Sequence, residues 1–519
     1  MKFFNIAGPV NPEDHYCIPP EQRINEQELY LLVEQKKYFV LHAPRQTGKT
    51  TTVLSFANTL NKESKYATLY VNVEAAQALR GDVEKALPVI LQEILTRVKE
   101  QLPTQLKISK IFEDLKKEFI PTGNLLATFL SRWCAQSIKP IVLFIDEIDS
   151  LVGDTLISVL RQIRSGYDKR PQNFPQSVCL IGVRDVRDYR IWSDEKQSMI
   201  LGGSAFNIKT KSLRMKDFSS EEVKQLYLQH TAQTGQKFNE KAIDYAFEIT
   251  QGQPWLVNAL AQEACFEMVT DRTKPITKDI IDRAKEILIM RRDTHFDVLI
   301  DRLQEPRVRN IIDNIINGSV VAKSFPIDDI SYVIDLGLVK HKGKDLVIAN
   351  PIYQEVLPRE LTYSTQYTIA QETIWYQNVD KSLNMPKLLK AFTQFYRENS
   401  TAWLEQFAYK EAGPHLLLMA FLQRIINGGG KIHREYALGL GRVDLLVEWI
   451  KQRIVIELKV RRDRKTIIEG LRQTVKYMDT SNATEGHLVI FDRSKKPWSK
   501  KIFCKKKKVG RRTITVWGV

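Results

Sequence analysis

Residues 38–50 read Tyr-Phe-Val-Leu-His-Ala-Pro-Arg-Gln-Thr-Gly-Lys-Thr. Tyr38 to Leu41 is a short apolar run with the character of a buried strand. A tight loop follows it, and from Thr50 to Leu60 apolar residues recur at helical spacing. Strand, loop and helix in that order point several backbone N–H groups at one spot ahead of a helix N-terminus, where a phosphate is favoured. The amides of Gln46, Thr47, Gly48, Lys49 and Thr50 are the candidates for that cradle. Lys49 is placed to reach the β- and γ-phosphates of a nucleotide, and the Thr50 hydroxyl to hold magnesium. The pattern departs from the usual one at its first position, where Ala43 replaces a glycine; alanine is small enough to stand there.

Further along, Pro140-Ile-Val-Leu-Phe-Ile-Asp146-Glu147 is an apolar strand that ends in two carboxylates. Alone it could be a strand with an acidic turn. After a phosphate loop, in this order, it supplies a magnesium ligand, Asp146, and a residue that polarises the attacking water, Glu147.

Over about residues 15–360 the chain resembles the AAA-like branch of P-loop ATPases, close to the STAND group of switch ATPases. That resemblance implies ATP and Mg2+ as cofactors and a helical lid whose Gly-x-Pro motif touches the nucleotide. Gly252-Gln253-Pro254 matches the motif, ahead of the apolar stretch Trp255 to Cys265. Read from the residues alone, it is a loop whose proline opens a helix. The strand Ser177 to Val183 stands in the sensor position but runs into Arg184, not a small polar residue, which leaves the hydrolysis rate open. Arg161, Arg164, Arg184 and Arg187 are equal candidates for a phosphate-sensing arginine.

The order of elements divides the chain into an ATPase core at 1–215, a lid at 216–290 and a winged helix at 291–360. The winged helix rests on helices at Arg309–Ile316 and Asp328–Leu336 and a wing around Lys342-Gly343-Lys344. Its balanced charge favours packing over DNA binding. Residues 361–400 read as a connecting segment with one helix, Met385–Glu398, and 401–519 as a last domain.

That last domain carries a second constellation. Gly441-Arg442-Val443-Asp444-Leu445-Leu446-Val447 and Ile454-Val455-Ile456-Glu457-Leu458-Lys459-Val460 are two apolar strands interrupted by charge. Alternation puts Glu457 and Lys459 on one face. Acids are seldom buried without a purpose; here the purpose would be a divalent metal held by Asp444 and Glu457, with Lys459 steadying a water or phosphate oxygen. The plainer reading is a buried Glu457–Lys459 ion pair, which gives Asp444 no reason to join it. A helix at Ile467–Met478 sets Gln473 and Tyr477 at i and i+4, on one face. His487 to Phe491 forms a further strand. Pro414–Ile426 reads as an apolar helix stopped by three glycines, Gly428 to Gly430.

From about residue 400 on, this pattern resembles the PD-(D/E)XK nuclease superfamily. The resemblance assigns Asp444 as metal aspartate, Glu457-Leu458-Lys459 as the Glu-x-Lys motif, and Gln473 and Tyr477 as the Gln-x-x-x-Tyr motif of its exonuclease-like branch. It also implies an acid near the first helix, for which Glu411 is the candidate and Glu405 the alternative. Magnesium is the expected metal, with manganese as a substitute. The fold class expected for the whole chain is α/β: a P-loop AAA-like domain with helical lid and winged helix, followed by a PD-(D/E)XK α/β nuclease domain.

Charge supports a polyanionic partner. The chain carries +16 at neutral pH, and residues 401–519 hold 25 Lys+Arg against 11 Asp+Glu, so nearly all the excess lies there. Nucleic acid, DNA before RNA, is the expected partner of that domain. The Lys505–Lys508 run alone would be a solvated basic tail, but Arg461, Arg462, Arg464 and Lys465 add to it directly after the acid-lysine strand.

Five cysteines are scattered, with no Cys-x-x-Cys pair. This argues for a reducing compartment and against a disulfide or zinc framework. Met1-Lys2-Phe3-Phe4-Asn5 opens no signal-peptide core, and the longest apolar run, Leu416–Leu422, is too short for a membrane. The expectation is therefore a cytoplasmic protein without a membrane partner; a homo-oligomer is compatible with the architecture.

Three functions compete. A nucleotide-switched, metal-dependent nuclease uses every motif, and analogy would set it in defence against foreign DNA (antiviral defence) or mobile-element biology. An ATP-binding sensor with an inactive, nucleic-acid-binding nuclease fold conflicts with the intact Asp444, Glu457 and Lys459. A DNA translocase with attached nuclease lacks a second motor domain.

Overall fold

The computed structural model describes residues 1–519 except 104–107, 186–189, 194–197, 202–208, 292–293, 317–324, 344, 362–375, 407–417, 419–420, 423–429, 439–440, 462–464, 493 and 495. The chain forms two compact units. One comprises Met1–Leu299, Lys323–His341 and Ala349–Pro351; the other comprises Ile300–Ala322, Lys342–Ile348 and Ile352–Val519. The stretch read as a winged helix, 291–360, thus contributes to both. Among the described residues no helix is long and apolar enough to cross a membrane.

The first unit is organised by a five-stranded parallel sheet. Its strands are β1 (Tyr38–His42), β2 (Ala67–Asn72), β3 (Ile141–Asp146), β4 (Ser177–Gly182) and β5 (Lys209–Arg214), in the spatial order β2-β3-β4-β1-β5. Alternate side chains enter different cores: Tyr38, Val40, Leu69, Leu143 and Leu180 on one face, Phe39, Leu41, Tyr70, Phe144 and Cys179 on the other. Burial on both faces is why these strands read as unbroken apolar runs. The helix Lys49–Lys62 covers the second face with Val53, Phe56, Ala57 and Leu60, spaced i, i+3, i+4, i+7. All ladders are parallel, so the segments after β1, β3, β4 and β5 leave the sheet at one edge, where ligands of such sheets bind.

The residues expected to form a lid, 216–290, are helical, with Ser220–Thr234, Glu240–Thr250, Pro254–Gln262 and Lys278–Arg291. Ser219 and Glu222 form a capping box that starts the first of these. Gly252 has φ +79, and a Cβ there would lie 1.9 Å from the Phe218 carbonyl oxygen, so only glycine fits. The helix Ile327–Asp335 also belongs to this unit. The Ile334 carbonyl accepts from Arg214 at 2.9 Å, and the Asp335 carboxylate lies 3.7 Å from His42 Nδ1.

In the second unit six strands form one sheet: β6 (Lys431–Leu438), β7 (Gly441–Trp449), β8 (Gln452–Val460), β9 (Glu485–Phe491), β10 (Phe503–Val509) and β11 (Arg512–Gly518). Their spatial order is β6-β7-β8-β9-β11-β10. The β6–β7, β7–β8 and β10–β11 ladders are antiparallel, and β8–β9 and β9–β11 parallel. The helix Lys465–Ser481 makes the crossover from β8 to β9.

Two sequence expectations change here. Residues 361–400 do not simply connect domains: Leu388, Leu389, Phe392 and Tyr396, on the helix Met385–Gln406, are buried with Trp449, Ile456 and Phe491 of the sheet. Polar neighbours mask their helical periodicity. Lys505–Lys508 is not a tail but the middle of strand β10. A run of exposed lysines has no alternation to betray a strand. The helix expected at Pro414–Ile426 lies mostly outside the described residues; Leu418, Phe421 and Leu422 are buried in the same core.

Candidate functional sites: a phosphate loop and a buried acid-lysine cluster

The loop after β1 has the backbone its glycine announced. Gly48 stands at φ +91 ahead of the helix and Gln46 at φ +58, so the amides from Gln46 to Thr50 turn inward to a common point. Lys49 is buried, and its ammonium donates to the carbonyls of Ala43 and Pro44, both at 2.9 Å. Burial pushes its pKa down, which Glu147 and Asp146 counter. Ala43 accepts from Lys49 through its carbonyl, and its methyl is fully buried in the apolar core on the second face of the sheet. Thr47 Oγ1 donates to the Pro44 carbonyl at 2.8 Å and tightens the turn.

Asp146, at the end of β3, is buried and fully engaged. Its Oδ2 accepts from Thr50 Oγ1 and from Tyr70 OH, each at 2.7 Å, and its Oδ1 from the Glu147 backbone N–H at 2.8 Å. Glu147 adopts φ +55 and is half-buried; burial, then Asp149 and Asp146, raise its carboxyl above the usual range. A carboxyl tuned upward is suited to holding a water proton. Thr50 and Asp146 therefore form the expected oxygen pair for magnesium, and Lys49 stands beside them. Sequence reasoning misses Tyr70, because a lone tyrosine inside an apolar strand carries no motif.

Of the Gly252-Gln253-Pro254 motif, Pro254 lines a pocket together with the loop, whereas Gly252 packs against the Phe218 backbone and does not line it. The pocket's lining includes Ile6, Ile18, Gln46, Gly48, Pro254 and Trp255. Trp255 Nε1 donates to the Ile6 carbonyl at 2.9 Å and its ring stacks on His295 at 4.6 Å. Burial lowers the His295 pKa to about 3, so the ring is neutral and its Nδ1 pairs with Gln46 Oε1. Arg23 donates to the Lys216 carbonyl at 2.6 Å and lies 4.4 Å over Phe218. Of the arginines proposed as sensors, Arg184 lies 4.8 Å over the Tyr332 ring, Arg161 and Arg164 are exposed, and Arg187 lies outside the described residues.

Residues 8–359 match the family described as AAA-like domain. The chain belongs to that family. Its AAA-like domain is an ATP-binding P-loop ATPase-like fold, as the parallel sheet and Lys49 loop require. Residues 390–495 match a second family, described as Domain of unknown function (DUF8371). No curated protein matches the sequence. Among solved structures, the Walker-type ATPase PABY2304 of Pyrococcus abyssi is 15% identical, covering 68% of this chain and 99% of that one at a TM-score of 0.46. Cdc6p from Pyrobaculum aerophilum is 13% identical, covering 67% and 95% at a TM-score of 0.36. The RuvB Holliday junction branch migration motor of Thermotoga maritima is 15% identical, covering 64% and 93% at a TM-score of 0.32.

The second unit gathers its own charged cluster. Leu445 pairs with Ile456 in the β7–β8 ladder, and Asp444 and Glu457 come next along the two strands. Asp444 Oδ2 accepts the Leu458 backbone N–H at 2.8 Å. Glu457 is 2% exposed; its Oε1 accepts from Lys459 Nζ at 2.7 Å, and its Oε2 has no hydrogen-bond partner among the described residues. Burial, then the charge of Asp444, pushes the Glu457 carboxyl up to about 7. Burial alone would lower the Lys459 ammonium, but Glu457 and Asp444 more than offset it and hold it above its ordinary value.

The helix Lys465–Ser481 closes over this cluster. A Cβ on Gly470 would meet Leu488 Cδ1 at 2.7 Å and Lys459 Cγ at 3.4 Å. One turn on, Gln473 Oε1 is buried and unpartnered among the described residues, and Tyr477 is buried close enough to act on the Lys459 charge. Asp444, Glu457, Lys459 and Tyr477 are thus brought together, with Gln473 on the same helix. Glu411 lies outside the described residues, as does the Glu405 side chain. Among the described residues no group of three or more His, Cys, Asp or Glu gathers as a metal site. Magnesium commonly binds through one or two carboxylates completed by waters, so Asp444 and the free oxygen of Glu457 fit it.

Proposed function

We propose that the chain is a nucleotide-switched, metal-dependent nuclease acting on DNA. The observation that carries the nuclease half is Glu457. A buried carboxylate with an unpartnered oxygen costs free energy, and an adjacent Asp444 adds repulsion. Stability alone gives no reason to keep both beside Lys459; a cation between Asp444 and Glu457 does. When bound, that cation polarises the scissile phosphate and activates water. Lys459, held by Glu457, is set to steady a phosphate oxygen or the water, and Gln473 and Tyr477 to orient the substrate from the helix above.

In the AAA-like domain the loop amides, Lys49, Thr50 and Asp146 would hold ATP and magnesium, and Glu147 would orient the attacking water. The pocket beside the loop, lined by Ile6, Ile18 and Trp255 among others, would receive the base. The described residues form one parallel P-loop sheet, and its nucleotide acts as a population switch, for which moving from mostly off to mostly on takes about 5.5 kcal/mol of differential binding. Defence against foreign DNA is the setting this architecture fits by analogy.

The test is a cleavage assay with purified protein, magnesium or manganese, and linear, circular and single-stranded substrates, run with ATP, with ADP and with neither. Cutting that needs metal and changes with nucleotide is expected, and Glu147→Gln should fix the ATP-bound behaviour. Binding without cutting in every condition would make the second unit a nucleic-acid-binding module. Identical cutting rates in every nucleotide state, in wild type and Lys49→Ala alike, would leave two uncoupled activities.

A further inference from the structure

The edge of the second sheet carries an unusual strand. β10 pairs only with β11 and ends the sheet order, so its outer backbone edge is open among the described residues. Cys504 and Lys505 to Lys508 are all exposed on it, and Arg511 follows at the turn. Arg512 is paired with Asp479 at 2.9 Å, whereas Lys505 to Lys508 have no acidic partner among the described residues. Edge strands often carry a lysine to block pairing with other chains. One or two suffice for that, and the run goes further.

Register decides what the rest could do. Glu457 pairs with Leu488, Leu488 with Val516, and Val516 with Lys505. Residues paired across a sheet point to the same face. Lys505 therefore lies in the row of Glu457 and on its face, and Lys507, two positions on, shares it. Lys506 and Lys508 point to the opposite face. Three strand spacings separate Glu457 from Lys505, about 14 Å. That length corresponds to roughly four base-pair rises along a duplex.

We infer that the β10–β11 hairpin contacts the phosphates of double-stranded nucleic acid bound at the Glu457 site, through Lys505 and Lys507 at the exposed margin of the face that the helix Lys465–Ser481 covers over Leu488 and Val516. This rests on the nuclease reading above. A duplex fits better than a single strand because the described residues of the hairpin expose lysines and arginine but no aromatic ring. Single-strand surfaces rely on aromatic stacking, whereas duplex binding rests on phosphate neutralisation. Within the lysine run, only this pair shares a face with the site.

The experiment compares two double charge reversals in the full chain, Lys505→Glu/Lys507→Glu and Lys506→Glu/Lys508→Glu. Anisotropy of a fluorescein-labelled duplex is followed across a salt series in EDTA, so binding is read without cleavage. The first variant should lose about tenfold in affinity at moderate salt, and its log–log salt slope should shrink by about 2. The second should change less than about threefold. Equal losses in both variants, or none in either, would overturn the hairpin contact while leaving nucleic-acid binding intact. Tight wild-type binding to a single strand but not to a duplex would overturn the choice of duplex. A wild type that binds neither would remove the nucleic-acid reading itself and the hairpin contact with it.

Discussion

The two buried charged sites of this chain are built on opposite terms. Around the phosphate loop, Lys49 Nζ, Thr50 Oγ1 and both oxygens of Asp146 have partners within the protein. Around Glu457, one carboxylate oxygen and the nearby Gln473 Oε1 have none among the described residues. A satisfied site is preorganised and exchanges partners when ligand arrives; an unsatisfied one holds a standing cost that ligand removes. The comparison teaches where a ligand would change most: the loop's charged groups already have partners within the protein, whereas Glu457 Oε2 lacks one among the described residues.

Breaking each site separately gives the largest effects. Glu457→Ala or Asp444→Ala should lower metal-dependent cleavage at least ~100-fold, since even an outer-shell partner of a metal ligand is commonly worth ~10–100-fold. ATP affinity should stay at the wild-type value in both. Conversely, Lys49→Ala removes a charged donor to the phosphates, worth about 1.5–3 kcal/mol or roughly 10–100-fold in ATP affinity, and should leave manganese binding at Glu457 unchanged. Fluorescent-ATP titration and calorimetric manganese titration, run on all three variants, check this. Loss of ATP binding in Glu457→Ala would show that the two sites are not independently formed.

Acidity sharpens the contrast. Because burial and Asp444 hold the Glu457 carboxyl up at about 7, a metal must displace a proton from it at lower pH. Manganese affinity should therefore rise up to about tenfold per pH unit below that value and level off above it. The sign for stability is opposite. The folded form binds more protons than the unfolded chain between the ordinary carboxyl value and about 7, so metal-free stability falls as pH rises through that window. Glu457→Gln should flatten both dependences. A pH-independent manganese affinity in the wild type would mean Glu457 is already ionised and the site less strained than its geometry implies.

How far the sequence foretells these sites follows the same division. The phosphate loop is legible because its function lies in local backbone: Gly48 and the lysine-threonine pair after it must be consecutive, and β1 and β3 are buried on both faces. The acid-lysine strand is legible because charge at Glu457 and Lys459 breaks an apolar alternation. What depends on distant parts of the chain coming together is not. The helix Met385–Gln406 reads as part of a connection because its partners, Trp449 and Phe491, lie far along the chain. β10 is invisible because four successive lysines carry no period. Register alone reveals that Lys505 shares a row with Glu457. Tyr70 and His295 reach the phosphate loop from β2 and from beyond the lid, and neither position has a sequence signature.

Tyr70 gives the smallest and most discriminating effect. Its hydroxyl donates to Asp146 Oδ2 at 2.7 Å from the neighbouring strand, and the Thr50 hydroxyl donates to the same oxygen. Thr50 and Asp146 would hold magnesium, and a Thr50 hydroxyl engaged by the metal would leave Tyr70 and the Glu147 backbone N–H to orient Asp146. Tyr70→Phe keeps the ring in its core and removes one hydrogen bond to a charged acceptor, worth about 1.5–3 kcal/mol, of which about half is felt in binding because the Glu147 backbone N–H still holds Asp146. The loss should fall on the magnesium-dependent part of ATP affinity alone, roughly three- to tenfold, because the loop amides and Lys49 do not touch Tyr70. Titrating ATP with magnesium and with EDTA separates the two parts. Equal weakening in both conditions would mean that Tyr70 only supports the sheet, and no weakening in either would mean that Asp146 is oriented sufficiently by Thr50 and the Glu147 backbone.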